Sequence, residues 1–362
     1  MGAASSAIAS AEKPADSPSF AHGLIAVDVM GSDMGPEEIL AGIRIALERD
    51  PSMSGIVVVG DDAFIAPWLK ENKLSDSKSI SVFPTTQVID MDDKPVFAMK
   101  KKRDSSMMRA IELVKDGASK AVLSCGNTGA LMAGGTLKLR PQKGIERPAL
   151  ATPIPCRGGH FVLVDAGANP DSRPEHLVHN AILGSNYACI GLGVENPKVG
   201  LLTIGTEEGK GNERTAQTHD LLKELNGIIN YTGLIEGFQT FEGEVDVVVC
   251  DGFVGNILLK SSEALYKFLL GTIKEEVKSN PVHIAGAALM KGAFSNVKKK
   301  LSPDQYGGAP LLGLKGNVLK AHGSSNRYAI ASAIRVGVEI AQQDMVGATH
   351  EAIARANKIL GL

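Results

Sequence analysis

VDVVVCDGFVGN (245–256) is an unbroken apolar run that stops in a glycine turn and opens an amphipathic helix. Five other stretches repeat that grammar: IAVDVMGSDMGP (25–36), AVLSCGNTGA (121–130), VLVDAGANP (162–170), GLLTIGTEEGKGNE (200–213) and VLKAHGSSN (318–326). Continuous apolar runs of this length are what a strand covered on both faces requires. Working outward, the pattern predicts strands over 24–29, 56–60, 79–84, 120–124, 149–154, 160–165, 198–204, 245–250 and 316–321. It predicts helices over 36–49, 105–117, 128–138, 174–190, 212–225, 253–278, 326–342 and 347–360, with Pro36 and Pro174 in tolerated first-turn positions. Alternating strands and helices give an α/β fold around a mostly parallel or mixed central sheet. In such sheets ligands gather at the carboxyl ends of the strands. Glycine turns there bring main chain close to an anion and aim N–H groups at it. Six of them predict one polar, phosphate-friendly cleft along a common rim.

The 362 residues, 44% hydrophobic and 22% charged, suffice for one large or two medium cores. A net charge of −2 with 4% aromatics argues against a nucleic-acid binder, which needs a basic surface or a stacking platform. Cys125, Cys156, Cys189 and Cys250 are scattered, without the spacing of a zinc site or a disulfide framework, and read as reduced thiols of a cytosolic protein. No run reaches the roughly 20 apolar residues of a membrane-spanning helix. Residues 1–22 read as a disordered tail without a signal core, and Gly2 with Ser6 fits a myristoylation pattern only formally. The remainder, 23–362, reads as one domain.

One segment breaks the rhythm. SNPVHIAGAALMKGAFSNVKKKLSPDQYGG (279–308) sets Ile284, Ala288, Leu289, Phe294 and Val297 among lysines, ending in Lys298, Lys299 and Lys300. It reads as a protruding amphipathic helical segment. By pattern it packs on its neighbours or on a second subunit; an anionic bilayer surface is the alternative.

Chemistry concentrates in the turns. Glycines flank Lys210, leaving an ammonium free to hold a phosphate or polarise a carbonyl; the bland alternative is a solvated loop lysine. Gly211 follows Lys210 where a nucleotide-binding P-loop needs Ser or Thr, so nucleotide hydrolysis is unsupported. Asn256 can donate to an oxyanion, and Asp251 either orients a partner or simply caps the helix. Gly126, Asn127 and Thr128 form an anion nest, or Thr128 is an N-cap. His322 stands beside Ser324 and Ser325, which suits phosphate or acyl chemistry if the turn aims them together. Asp28, Ser32 and Asp33 crowd the first turn, but no second cluster completes a metal site. Cys125 and Cys250 end strands; a nucleophilic thiol needs a base and a depressed pKa, and buried structural thiols are the simpler reading. Lys100, Lys101, Lys102 and Arg103 form a solvated basic run that would suit an acidic partner.

Taken in order, these stretches with KKRDSSM (101–107), GNTGALMAGG (126–135), RPALAT (147–152), GANPDSRPEHL (167–177) and GGAPLLGLKG (307–316) resemble the phosphate acyltransferase family of bacterial phospholipid synthesis. The chain departs from the family at Val29 and Ser32, where Ala and Gly are usual, and at Cys125, where Ala is common. The last departure weakens the case for a cysteine nucleophile. The resemblance implies a three-layer α/β/α sandwich related to isocitrate and isopropylmalate dehydrogenases and to phosphotransacetylases, usually as a homodimer. It implies that inorganic phosphate attacks the thioester of a long-chain acyl group on acyl carrier protein, giving acyl phosphate for phosphatidic acid and phospholipid synthesis. Acyl carrier protein is acidic, so the basic runs gain a partner. A cytoplasmic enzyme in peripheral contact with an anionic membrane through 279–300 is then expected.

On that reading Lys210, Asn256 and His322 are the catalytic residues, and Gly126, Asn127, Thr128, Asp251 and Ser324 bind phosphate, with no metal and no cofactor. Two rivals stand beside it. A nicotinamide-dependent hydroxy-acid dehydrogenase of the same fold class needs a dinucleotide fingerprint, and GLGVEN (191–196) is incomplete and ends a helix. A non-catalytic membrane scaffold leaves six polar turns idle.

Overall fold

Strands β1 (Gly23–Asp28), β2 (Ile56–Gly60), β3 (Ile80–Pro84), β4 (Ser119–Ser124), β5 (Ala149–Cys156), β6 (Gly159–Val164), β7 (Lys198–Leu202), β8 (Asn230–Ile235), β9 (Val247–Val249), β10 (Ala309–Leu312) and β11 (Asn317–Lys320) build one sheet. Their order is β3-β2-β1-β4-β11-β10-β5-β6-β9-β7-β8. The computed structural model describes residues 23–53, 55–207, 210–301 and 307–362. The tail 1–22 with Gly2 and Ser6, residues 302–306 and the side chains of Lys298 and Lys299 lie outside the described residues.

The sheet has two parallel halves. β3, β2, β1, β4 and β11 run one way, and β6, β9, β7 and β8 share a direction of their own. Between them three pairings in a row are antiparallel, β11 with β10, β10 with β5, and β5 with β6. An odd number of reversals sets the halves against each other. The glycine turns after β1, β4 and β11 therefore face one edge of the sheet, and those after β6, β7 and β9 face the opposite edge. The expected common rim is corrected to two rims of three turns each. The reversals come from β10, which the apolar pattern missed, and from the two-residue turn Arg157–Gly158 that makes β5 and β6 a hairpin, with Gly158 at φ +85°.

Alternate residues of each strand serve different layers. Ile25, Val27, Ile56, Val58, Leu123, Val162, Val164, Val247, Val249 and Leu319 bury against α1 (Pro36–Arg49), α6 (Pro174–Leu192), α12 (Arg327–Gln342) and α13 (Met345–Leu360) in one continuous core. Each such side chain contributes about 1.5–3 kcal/mol on burial, and this face ties both halves together. The other face is divided. Ala26, Val57, Val122 and Val318 pack under α3 (Pro95–Lys101), α4 (Ser106–Lys115) and α5 (Thr128–Leu139). Phe161, Leu163 and Val248 form a separate cluster with Leu258 and Leu259 of α9 (Gly252–Lys278). The result is the expected α/β/α sandwich. As expected too, Gly193 of GLGVEN, at φ +73°, ends α6.

α9 leaves the body of the molecule. Of its 27 residues only Gly252 and Gly255, in the first turn, are buried, and at about 1.5 Å per residue it spans about 40 Å. A Cβ on Gly255 would run into the carbonyl oxygen of Asp165, so this close approach needs glycine. Beyond α9 come α10 (Pro281–Leu289), with no buried residue, and α11 (Lys291–Leu301). Among the described residues no helix is long and apolar enough to cross a membrane.

Candidate active site

Asp165 follows the last residue of β6 and organises the next four. Its Oδ1 accepts from the backbone N–H groups of Gly167 (3.0 Å), Ala168 (2.7 Å) and Leu150 (3.2 Å). Its Oδ2 accepts from Asn169 twice, backbone N–H at 2.8 Å and Nδ2 at 2.9 Å. Asn169 Nδ2 also donates to the Pro148 carbonyl at 2.7 Å. The loop so fixed carries Gly167, at φ +135°, against Asn256; a Cβ on Gly167 would lie 3.3 Å from the Asn256 Cβ. Asn256 starts the second turn of α9 and is exposed.

Asp251 caps α9, its Oδ1 accepting from Val254 N–H at 2.8 Å. Its Oδ2 accepts from the guanidinium of Arg214. Arg214 lies in the first turn of α7 (Glu213–Lys223) and donates through Nη1 to the Ser172 carbonyl at 3.2 Å. The Asn212 side chain caps α7 at Thr215 N–H, 2.9 Å, and Lys210 lies two residues ahead with its side chain exposed. The Arg214–Asp251 pair thus fastens the start of α7, beside Lys210, to the start of α9, which holds Asn256. Lys210, Asp251 and Asn256 share one rim. Asp251 itself is corrected from phosphate ligand to cap and arginine partner, because both oxygens are engaged and a carboxylate repels an anion.

Sequence reasoning missed Arg214 and Asp165. A cation in the first turn of a helix opposes the helix dipole and so calls for an anionic partner; that was the available signal for Arg214. Arg214→Met should destabilise the protein by about 1–2 kcal/mol, below the roughly 3–5 kcal/mol of a fully buried broken pair, because Arg214 is 28% exposed although Asp251 is only 5% exposed. Thermal melts check this, with Arg214→Lys falling between Met and the native residue.

On the other rim the turns are stitched to each other. Ser32 Oγ and Asp33 N–H both donate to the Gly323 carbonyl, at 3.1 and 3.0 Å. Ser124 Oγ donates to Asp28 at 2.6 Å. Burial pushes the Asp28 carboxyl up, against hydrogen bonds from Ser106 and Ser124. Lys320 Nζ donates to the Cys125 carbonyl at 2.9 Å, and burial pushes its pKa down. No group of three or more His, Cys, Asp or Glu in metal-holding geometry occurs among the described residues. Burial pushes the Cys125 thiol up to about 12 and the Cys250 thiol well above its ordinary value, so neither supplies a thiolate at neutral pH.

Two of the predicted phosphate ligands serve the fold instead. Asn127, not Thr128, caps α5: its Oδ1 accepts from Ala130 N–H at 3.0 Å, and its Nδ2 donates to the carbonyls of Met91 and Asp93 at 2.9 Å. Gly126 N–H donates to Ser124 Oγ at 3.0 Å. That leaves the exposed Thr128 and the N–H groups of Thr128 and Gly129, which a helix start cannot satisfy internally. The turn at 322–324 does aim its residues together, with Ser324 Oγ 2.8 Å from His322 Nδ1 and Ser324 N–H donating to the same nitrogen at 3.2 Å. Nδ1 is then the unprotonated nitrogen, and both groups are exposed.

α5, which follows β4, and the loop after β6 border one cleft, a space of about 700 Å³ between α5 and the loops at 146–148 and 168–169. Gly129, next to Thr128, lines one wall. Ala168 and Asn169, following the Gly167 that lies beside Asn256, line the other. An exposed ammonium and a carboxamide come from one half of the sheet, and a helix start with free N–H groups comes from the other half. That arrangement can hold an oxyanion and an anionic nucleophile together.

A family model described as fatty acid synthesis protein matches residues 24–347. The phosphate acyltransferase of Thermoanaerobacterium thermosaccharolyticum is 45% identical over 322 residues, covering 89% of this chain and 94% of that one. That of Desulforudis audaxviator is 44% identical over 324 residues, with the same coverage of 89% and 94%. Among solved structures, a phosphotransacetylase from Streptococcus pyogenes superposes with a TM-score of 0.59 at 16% identity, over 89% of this chain and 94% of that one. At that identity the likeness speaks for the fold alone.

Proposed function

This chain belongs to the phosphate acyltransferase family, and from that premise we propose that it moves a long-chain acyl group from acyl carrier protein to inorganic phosphate, supplying acyl phosphate to phospholipid synthesis. A phosphate oxygen bonds to the thioester carbonyl carbon, the C–S bond breaks, and the thiolate leaves on the carrier to take a proton from water. Phosphate is already a charged nucleophile, so the protein's task is positioning, worth about 7–11 kcal/mol in favourable cases, and oxyanion stabilisation, worth about 3–4 kcal/mol. Lys210 and Asn256 take the oxyanion, Thr128 and Ser324 contact phosphate, and His322 orients the Ser324 hydroxyl. The observation that carries this reading is the cleft bordered by both the α5 start and the loop beside Asn256.

The exposed Lys100, Lys101 and Arg103 beside exposed Val96 and Phe97 on and after α3 support an acidic carrier as acyl donor, while Lys102 is held by Asp90 and Asp93 at 2.6 and 2.5 Å. Exposed Leu265, Phe268, Leu269 and Ile273 on α9 support a homodimer, and Val282, Ile284, Leu289 and Phe294 with Lys291 support peripheral contact with an anionic bilayer. Hexadecanoyl carrier thioester and phosphate, incubated with the enzyme, should yield hexadecanoyl phosphate by mass. Release of thiol without that product, or reduction of a nicotinamide cofactor in its place, overturns the proposal.

A further inference from the structure

We propose that the groove along α5 seats the hydrocarbon chain of the acyl donor and so sets chain-length preference; this rests on the acyl-transfer reading above. α5 has one charged side chain, Lys138, and it is tied to Glu112. A helix apolar all round is buried all round, yet the protein covers only one face. Ala130, Leu131, Gly134, Gly135 and Leu139 are buried, and the two glycines let the helix settle on Met108, Ile111, Leu314 and Val318. The opposite stripe, Gly129, Met132, Ala133, Thr136 and Leu137, lines the cleft. Its spacing of three and four residues makes one continuous face about 12 Å long.

The occupant follows from where the stripe leads. The facing wall is Glu146, Arg147, Pro148, Ala168 and Asn169, the last two adjoining the Gly167 that lies beside Asn256, so the α5 stripe is the apolar side of the groove. An apolar stripe that faces the loop beside the proposed oxyanion donor is placed to receive what is attached to the reacting carbonyl. The space of about 700 Å³ falls within the ~300–1,000 Å³ of small-molecule sites. It is an open groove with walls from two halves of one chain, narrow enough to suit a flexible chain better than a second folded copy.

Two variants test the seat. Ala133→Trp fills the middle of the stripe, and Leu137→Asp, at a position 66% exposed where the fold has little to lose, puts a carboxylate in the groove. Excluding about three methylenes, at about fourfold each, should lower kcat/KM for the hexadecanoyl thioester on the order of fiftyfold while the butanoyl thioester stays within about twofold. An unchanged ratio between the two substrates in active variants sinks the seat alone. So does a change in sedimentation without a change in that ratio, which would assign the groove to a second copy. No acyl phosphate from the unmodified enzyme with either thioester sinks the acyl-transfer reading, and the seat with it.

Discussion

Lys210→Ala and Asn256→Ala should each lower kcat on the order of 10²–10³-fold, the effect of removing one preorganised oxyanion donor. Neither should move the melting temperature appreciably. Lys210 is an exposed loop residue ahead of the Asn212 cap, and Asn256 is exposed on α9. Activity and stability thus separate, which is unusual for substitutions of this size. Because one donor comes from the loop after β7 and the other from the helix after β9, the two variants also test whether these elements work as one site. If they do, the double variant should lose little more than the worse single, since residues acting as a unit are non-additive. Multiplicative losses would mean two separate sites. Near-normal turnover in either single variant would remove that residue from the chemistry. The assay is acyl phosphate formation at saturating thioester, with a parallel thermal melt.

The layout of these donors shows where reading the sequence succeeds and stops. The runs at 56–60 and 245–250 announced strands because both faces of a central strand are apolar, and the helix over 36–49 announced itself through Pro36. Direction was not announced. Parallel and antiparallel neighbours bury the same side chains, and β10, only four residues long and containing Pro310, has too little apolar pattern to register. β8 sits at the sheet edge, half-buried and broken by Gly233, and escaped for the same reason. With those strands hidden, six turns of identical grammar looked like one rim. The hairpin signal was present in PCRGG (155–159), two strands separated by a glycine turn, and would have exposed one of the three reversals.

Surroundings were legible where a residue stands alone and illegible where it acts through a distant partner. Lys210 between glycines is a local pattern, and its side chain is exposed as that pattern implies. Arg214 with Asp251 is a pair 37 residues apart in sequence, and Asn127 is spent on carbonyls 34 to 37 residues away. Asn127 and Gly126 looked like an anion nest because a loop that binds an anion and one that satisfies its own donors use the same residue types. Only the partner distinguishes them.

Asp165 shows that distinction at its strongest. In VLVDAGANP the glycine is the visible signal, yet the aspartate does the organising, with five donors on one buried carboxylate. Asp165→Ala leaves those donors unpartnered, at about 1–3 kcal/mol each where water cannot reach, so a loss on the order of 4 kcal/mol is expected even after relaxation. Asp165→Asn is the sharper experiment. Its oxygen, in the Oδ1 position, can still take Gly167, Ala168 and Leu150, while its NH2 must face the two donors of Asn169. The expected loss is about 1–3 kcal/mol, read as a lower urea midpoint at unchanged slope. Because Gly167 lies beside Asn256 and Gly255 packs on the Asp165 carbonyl, kcat should fall with it, also well below the urea midpoint where the variant is fully folded. A folded Asn variant with normal kcat would mean that Asn256 is held by α9 alone. One that also unfolds at the native midpoint would show that the loop keeps its shape without the carboxylate.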